Sequence, residues 1–394
     1  MKSSLFLDYL MEIPNFLSMF IFAFFMMITS PILLDISDFF KVSPENMNLM
    51  ITFFTIGVII GLLSSMLLNR KFRKNHIILV SYIMTIPILI ILGLTRNLII
   101  FNILYFIIGY FFGLVWINAN SNLVESRVRN KDSVLNLGHS FFAIGALTAP
   151  FLSISLINRK ISWNTIYFLI IFLVLIAVFS YIVILKKRKA TAIPVQEKKP
   201  IKDLFKYKSK NIFFLFSGIL MILAVMSEWI IATWAPTFFR VQKMFRLSNA
   251  GYILTAFWIG MLIGRVGISF LTYRLKTRYI MIGSSVISII ALILTIFINN
   301  TLINIVATGF VGLGFSGFAP LILSTTSRVY DSNKDVVITI IFFFGLSGNA
   351  LAPYLTKLTS SNNMVFSLSL TIFLMVGVLV FTLIRVIYKG KYIE

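Results

Sequence analysis

Lys186–Lys210, KKRKATAIPVQEKKPIKDLFKYKSK, is the longest polar interval in the chain, with ten basic residues against Glu197 and Asp203. On each side of it the sequence turns apolar and stays so. A bilayer core about 30 Å thick needs roughly 20 mainly apolar residues per helix. Six such stretches precede the interval and six follow it. The expected spans are 14–34, 46–68, 76–95, 98–120, 135–156 and 163–185, then 211–235, 248–272, 278–298, 301–325, 336–356 and 364–386. The expected fold is an all-α membrane protein of about twelve transmembrane helices in two pseudo-symmetric six-helix bundles, residues 1–185 and 211–394, joined by a basic cytoplasmic linker at 186–210.

Composition agrees with this pattern. At 59% hydrophobic and 12% charged, the 394 residues hold more apolar surface than a water-soluble domain can bury. The polar start, Met1–Glu12, carries two acids and one lysine, and no small-residue cleavage site follows the first span, so that span reads as a retained helix. In a soluble protein the net charge of +22 would suggest nucleic acid; here it sorts by side of the membrane. With a cytoplasmic N-terminus, the cytoplasmic segments carry +17 and the opposite side +5, which together account for the net +22, Glu228 and Arg265 cancelling inside the membrane. An excess of Lys and Arg on one side sets orientation. Both termini are therefore expected in the cytoplasm, and no nucleic-acid partner is needed. Heavy use of Ile, Asn, Lys and Phe points to an AT-rich bacterial genome, hence a cell (inner) membrane location.

Several chemistries are excluded. Cysteine is absent, and the two histidines, His76 and His139, leave little for metal ligation. No phosphate-binding Gly-Lys-Ser/Thr loop and no nucleophile elbow occurs. An enzyme is not expected, nor any cofactor.

The halves echo each other across the basic interval. Gly57 and Gly61 match Gly260 and Gly264, Gly109 matches Gly312, Gly145 matches Gly348 and Pro150 matches Pro353, all at a spacing of 203. Asp38-Phe-Phe-Lys-Val and Thr237-Phe-Phe-Arg-Val follow at 199. Small residues let transmembrane backbones approach closely, and packing alone accounts for each glycine singly. A common offset over successive helices is what a duplicated bundle requires, the plan in which a solute site forms between halves near the midplane.

Longer motifs are more specific. In the fifth span, Leu135-Asn-Leu-Gly-His-Ser-Phe-Phe-Ala-Ile-Gly-Ala-Leu-Thr-Ala-Pro150 fits L-N-x-x-H-x-F-F-x-x-G-A-x-x-x-P. The seventh carries Glu228-Trp-Ile-Ile-Ala-Thr-Trp234-Ala-Pro-Thr-Phe, the eighth Gly260-x-x-x-Gly264-Arg265, and the loop after the second Ser65–Lys74, SMLLNRKFRK. These residues resemble the major facilitator superfamily and, within it, the fucose permease-like branch of sugar carriers, over nearly the whole chain. The resemblance implies the major facilitator fold, sugar transport coupled to a proton or another ion, and a conformational gating role for Arg70, Arg73 and Arg265. In the fourth span Asn118-Ala-Asn-Ser-Asn122 stands where the branch has D/E-x-x-x-N, so Asn118 replaces the branch's coupling acid.

Read on their own chemistry, Glu228 and Arg265 are the two charges placed well inside spans, and intramembrane charges need a partner or a polar lining. Glu228, near Trp229 and Trp234, has the equipment for a polyol: a carboxylate for hydroxyls and aromatic faces for C–H surfaces. Asn118 and Asn122, four residues apart, share a helix face and offer neutral donors and acceptors; interhelical hydrogen bonding is the competing account. His139 is either a proton relay or substrate ligand, or a histidine satisfied by a neighbouring helix. Asn349, four residues before Pro353, is the second-half counterpart of Ala146. The expected substrate-binding or coupling set is thus Asn118, Asn122, His139, Glu228, Trp234 and Asn349.

The expected function is a monomeric secondary transporter for a small polar solute, a sugar or related metabolite, with membrane lipid as its surroundings. Efflux of drugs or amphipathic metabolites, and a non-transporting receptor or scaffold, are the alternatives.

Overall fold

The computed structural model describes residues 8–28, 33–42, 47, 49–189, 208–245, 247–330, 334–360 and 364–390. Within them the chain is helical, with no strand. Residues 190–207 of the expected linker lie outside the described residues. The helices are α1 (Ile13–Ile28), α2 (Leu33–Phe40), α3 (Leu49–Lys71), α4 (Lys74–Leu94), α5 (Leu98–Val124), α6 (Lys131–Asn158) and α7 (Thr165–Lys189), then α8 (Lys208–Val241), α9 (Leu247–Leu271), α10 (Thr277–Phe297), α11 (Thr301–Phe315), α12 (Phe318–Ser327), α13 (Lys334–Ser360) and α14 (Met364–Gly390).

Ten helices among the described residues are long and apolar enough to cross a bilayer, and the apolar stretches Val336–Ala352 in α13 and Leu368–Ile384 in α14 bring the set to the expected twelve. The first expected span is described as far as Ile28; residues 29–32 lie outside the described residues, and an eight-residue helix, α2, is described at Leu33–Phe40. The tenth expected span is corrected: it is broken into α11 and α12. Pro320 has no N–H for the Ser316 carbonyl four residues earlier, and the flexible Gly317 lies at the break.

The chain divides into two compact units, Met1–Arg129 with Phe141–Lys198, and Asn130–Ser140 with Lys199–Glu394. In the first, α3 lies along α5, while α4 and α1 each pack on α5 and α7. In the second, α9 lies along α11, α8 packs on α13 and α14, and α10 on α11 and α14. Each unit turns large apolar side chains outward, as Leu67, Phe172, Phe179, Phe270, Phe297 and Phe373 show, and keeps Ser, Thr and Asn inside. That is the distribution for a lipid solvent, where association rests on close packing and interhelical hydrogen bonds.

The repeat holds at the level of contacts. A Cβ on Gly57 would collide with the Phe106 carbonyl oxygen, and one on Gly260 with that of Gly309, the residue 203 further on. Gly61 meets the Tyr110 carbonyl where Gly264 meets that of Leu313, and Gly109 meets Phe54 where Gly312 meets Phe257, again at 203. Gly145 lies against the Phe20 carbonyl and Gly348 against that of Ile222. Equivalent glycines therefore seat equivalent helix pairs, α3 on α5 and α9 on α11, in the two units.

Candidate substrate and coupling site

Within the second unit, α8 supplies Glu228, α9 supplies Arg265, and the start of α6 supplies His139. Arg265 is 4% exposed at its side chain and stands 4.0 Å from the Glu228 carboxylate. It donates from Nη1 to the His139 carbonyl at 3.1 Å and from Nε to the Ser316 carbonyl at 3.3 Å. Ser316 is the residue whose carbonyl Pro320 leaves without a helical donor. The break between α11 and α12 thus creates the acceptor that Arg265 fills. Gly264 makes the approach possible, since a Cβ there would strike the Ser316 side chain and the Leu313 carbonyl. Two carbonyls and one carboxylate together offset the burial of one guanidinium.

Of the pair, Glu228 is the more open, 16% against 4%. The His139 side chain is buried. The structure therefore brings Glu228, Arg265 and the His139 backbone together. Asn349, on α13, is half-buried. Trp234 belongs to α8, and its side chain lies outside the described residues. Arg70 and Arg73 are exposed at the α3–α4 turn.

A second polar node in the same unit was not legible in the sequence. Asp132, one residue into α6 and 3% exposed, accepts hydrogen bonds from Thr277 Oγ1 at 2.5 Å, from Arg328 Nη2 at 2.6 Å and from the Ser324 hydroxyl. Asn130 donates to Thr272 Oγ1 at 3.3 Å. Sequence reasoning counted Asp132 and Arg328 as loop charges. Their pairing crosses 196 positions, and no local signal announces it.

In the first unit the asparagines of α5 separate. Asn118 is fully buried; its Nδ2 donates back to the Leu114 carbonyl at 2.8 Å, and its Oδ1 has no hydrogen-bond partner among the described residues. Asn122 donates to Asn15 Oδ1 at 3.1 Å and to Asn75 Oδ1 at 2.7 Å, joining α5 to α1 and α4. Its amide is spent on helix packing, the competing account for that residue. Sequence reasoning also missed Glu12, placed there in the polar start; it is 1% exposed and accepts from Asn15 Nδ2 at 2.6 Å.

Lys243, in the turn after α8, closes the far end of α10. Its ammonium donates to the Thr295 and Ile298 carbonyls at 2.6 and 2.5 Å and to Asn304 Oδ1 at 3.1 Å, with the Phe238 and Phe239 rings 5.5 and 5.4 Å away. A cation is favoured at a helix C-terminus, where carbonyls lack partners. Burial pulls the lysine down to about 8 from its ordinary 10.5. The unfolded chain then holds this proton more tightly than the folded one, so stability rises as pH climbs from about 8 toward 10.5. Lys243→Met is expected to lose about 1–3 kcal/mol through the unsatisfied carbonyls and to remove that alkaline rise. Melting in detergent across this pH window, wild type against variant, checks both.

An apolar groove of about 520 Å³ runs between α10 and α11, lined by Ile290, Leu294, Leu302, Val306 and Phe310 among others. It has no polar group for a hydroxylated solute and is suited to a lipid chain.

The profile of the Major Facilitator Superfamily matches residues 16–353. A TsgA homolog of Buchnera aphidicola subsp. Schizaphis graminum is 25% identical over 393 residues, covering 96% of each chain. The glucose/mannose transporter GlcP of Bacillus subtilis is 24% identical over 361 residues, covering 89% of this chain and 86% of its own. The crystal structure of the transporter FucP in the outward conformation superposes with a TM-score of 0.74 at 15% identity, covering 96% of this chain and 99% of that one. A variant of the E. coli fucose:proton symporter FucP gives 0.71 at 14%. The chain has the FucP fold and belongs to the Major Facilitator Superfamily of membrane transporters.

Proposed function

We propose that this protein is a secondary active transporter that carries a sugar across the bacterial inner membrane by alternating access, coupled to protons. The observation that carries the reading is the Glu228–Arg265 pair inside the second unit: a carboxylate acceptor set beside a fixed donor suits hydroxyls, which need both. Two relatives support the class of solute, GlcP being named for glucose and mannose and FucP for fucose and a proton. Glu228 binds the solute, with Trp234, His139 and Asn349 as further lining; Asn118 is a solute ligand of the first unit, and Asn122 holds helices together. Residues 1–185 and 211–394 act as the two moving halves. Arg70 and Arg73 act at the cytoplasmic face, where the basic loops and both termini lie, and the carrier works as a monomer.

The test is a thermal-shift screen of the purified protein against glucose, mannose and fucose, followed by counterflow of the stabilising sugar in proteoliposomes. Stabilisation and counterflow by one of them are expected. No shift and no counterflow with any hexose refutes the substrate class.

A further inference from the structure

Glu12 was read in the sequence as part of the polar start, yet it sits inside the apolar span Asp8–Ile28 at 1% exposure. It is the one acid among the buried residues described in the first unit. Its carboxylate is the head of a buried hydrogen-bond chain. Asn15 donates to Glu12 Oε2 at 2.6 Å, and Asn15 Oδ1 accepts from Asn122 at 3.1 Å and from the Tyr181 hydroxyl at 2.9 Å. Asn122 donates onward to Asn75 at 2.7 Å, and Tyr181 lies 3.1 Å from Ser18. The chain joins α1, α4, α5 and α7. Other charged or titratable groups at this end of the packed helices are Asp8 and Tyr9 ahead of Glu12, Arg70 and Lys71 of α3, Arg73, Lys74 and His76 around the start of α4, Glu125, Arg127 and Arg129 at and after the end of α5, and the exposed Lys186 of α7. Lys74 is held by Glu125 at 2.7 Å and by Ser121 at 2.6 Å.

We propose that Glu12 is a proton-binding site of the first unit, reloaded in each transport cycle, and that Asn15 passes its state to the helices around it. The proposal rests on the reading of the protein as a proton-coupled carrier. An ionised carboxylate only accepts, and Asn15 then offers it the amide N–H while its oxygen receives Asn122 and Tyr181, as in this structure. When a proton binds Glu12, the carboxyl gains a donor. Asn15 turns its amide to accept from it and presents N–H groups to Asn122 and Tyr181, which must reverse in turn. One proton bound at one oxygen thereby inverts the polarity of contacts among four helices. An acid shielded within a span is the arrangement that proton carriage needs.

Glu12→Gln fixes the neutral form without removing the side chain. Gradient-driven sugar accumulation is expected to fall at least about tenfold while counterflow stays within about twofold of wild type, and counterflow is expected to lose its pH dependence. In parallel, difference infrared spectra of the wild type between about pH 5 and about pH 9 are expected to show a titrating carboxyl band that Glu12→Gln removes. Accumulation by Glu12→Gln equal to wild type, with an unchanged pH profile, overturns the proposal. So does the absence of any titrating carboxyl band in the wild type, a measurement that stands even if the variant does not fold. A titrating band in a protein that moves no hexose leaves Glu12 as a proton site and defeats the sugar reading instead.

Discussion

Glu228→Gln is expected to abolish sugar-induced stabilisation, and with it both counterflow and gradient-driven uptake. The substitution keeps the shape and removes the charge that accepts hydroxyls. A hydrogen bond to a charged group contributes about 1.5–3 kcal/mol, which is roughly 10- to 100-fold in affinity. It also leaves Arg265, 4% exposed, without its carboxylate, and breaking a buried pair costs about 3–5 kcal/mol. The double variant Glu228→Gln with Arg265→Gln is therefore expected to regain much of the lost melting temperature and none of the binding. The two losses are separable, and their separation identifies Glu228 as a ligand and not only a strut. Binding is read by thermal shift and counterflow, stability by melting without sugar. A Glu228→Gln protein that binds and exchanges sugar normally removes the residue from the site.

Gly260→Val is expected to yield no monodisperse protein. A side chain there meets the Gly309 backbone on α11, which cannot swing away as a flexible side chain would. Overpacking against side chains costs about 1–3 kcal/mol, and a collision with backbone exceeds that range. Gly57→Val, its counterpart against Phe106, is expected to behave alike. Gly267→Val and Gly283→Val are the controls, because nothing lies within 4 Å of a Cβ at either position. Size-exclusion profiles of the four variants check the contrast. Normal profiles for Gly260→Val and Gly57→Val would show that the paired contacts do not hold the helices at this distance.

The spans and the repeat were legible because both rest on local composition and fixed spacing. About 20 apolar residues declare a span wherever they occur, and glycines at 203 declare a shared seat. The break in the tenth span was written in Pro320, but a mean over a window does not register one missing N–H. Glu12 and Asp132 were misplaced for one reason: each lies at a span edge, where sequence assigns a charge to water by default. What surrounds them comes from far along the chain: Asn122 and Tyr181, which hold the neighbouring Asn15, in one case, and Thr277, Ser324 and Arg328 in the other. The i, i+4 pairing of Asn118 and Asn122 placed them on one face. It could not show that two other helices had already taken up Asn122.

Hexose accumulation by purified wild-type protein in proteoliposomes, driven by an imposed inward proton gradient and abolished by a protonophore, tests the account most directly. Uptake above the external concentration of glucose, mannose or fucose, collapsing when the gradient is dissipated, is the predicted result. Folded protein that moves none of the three under the gradient would contradict it.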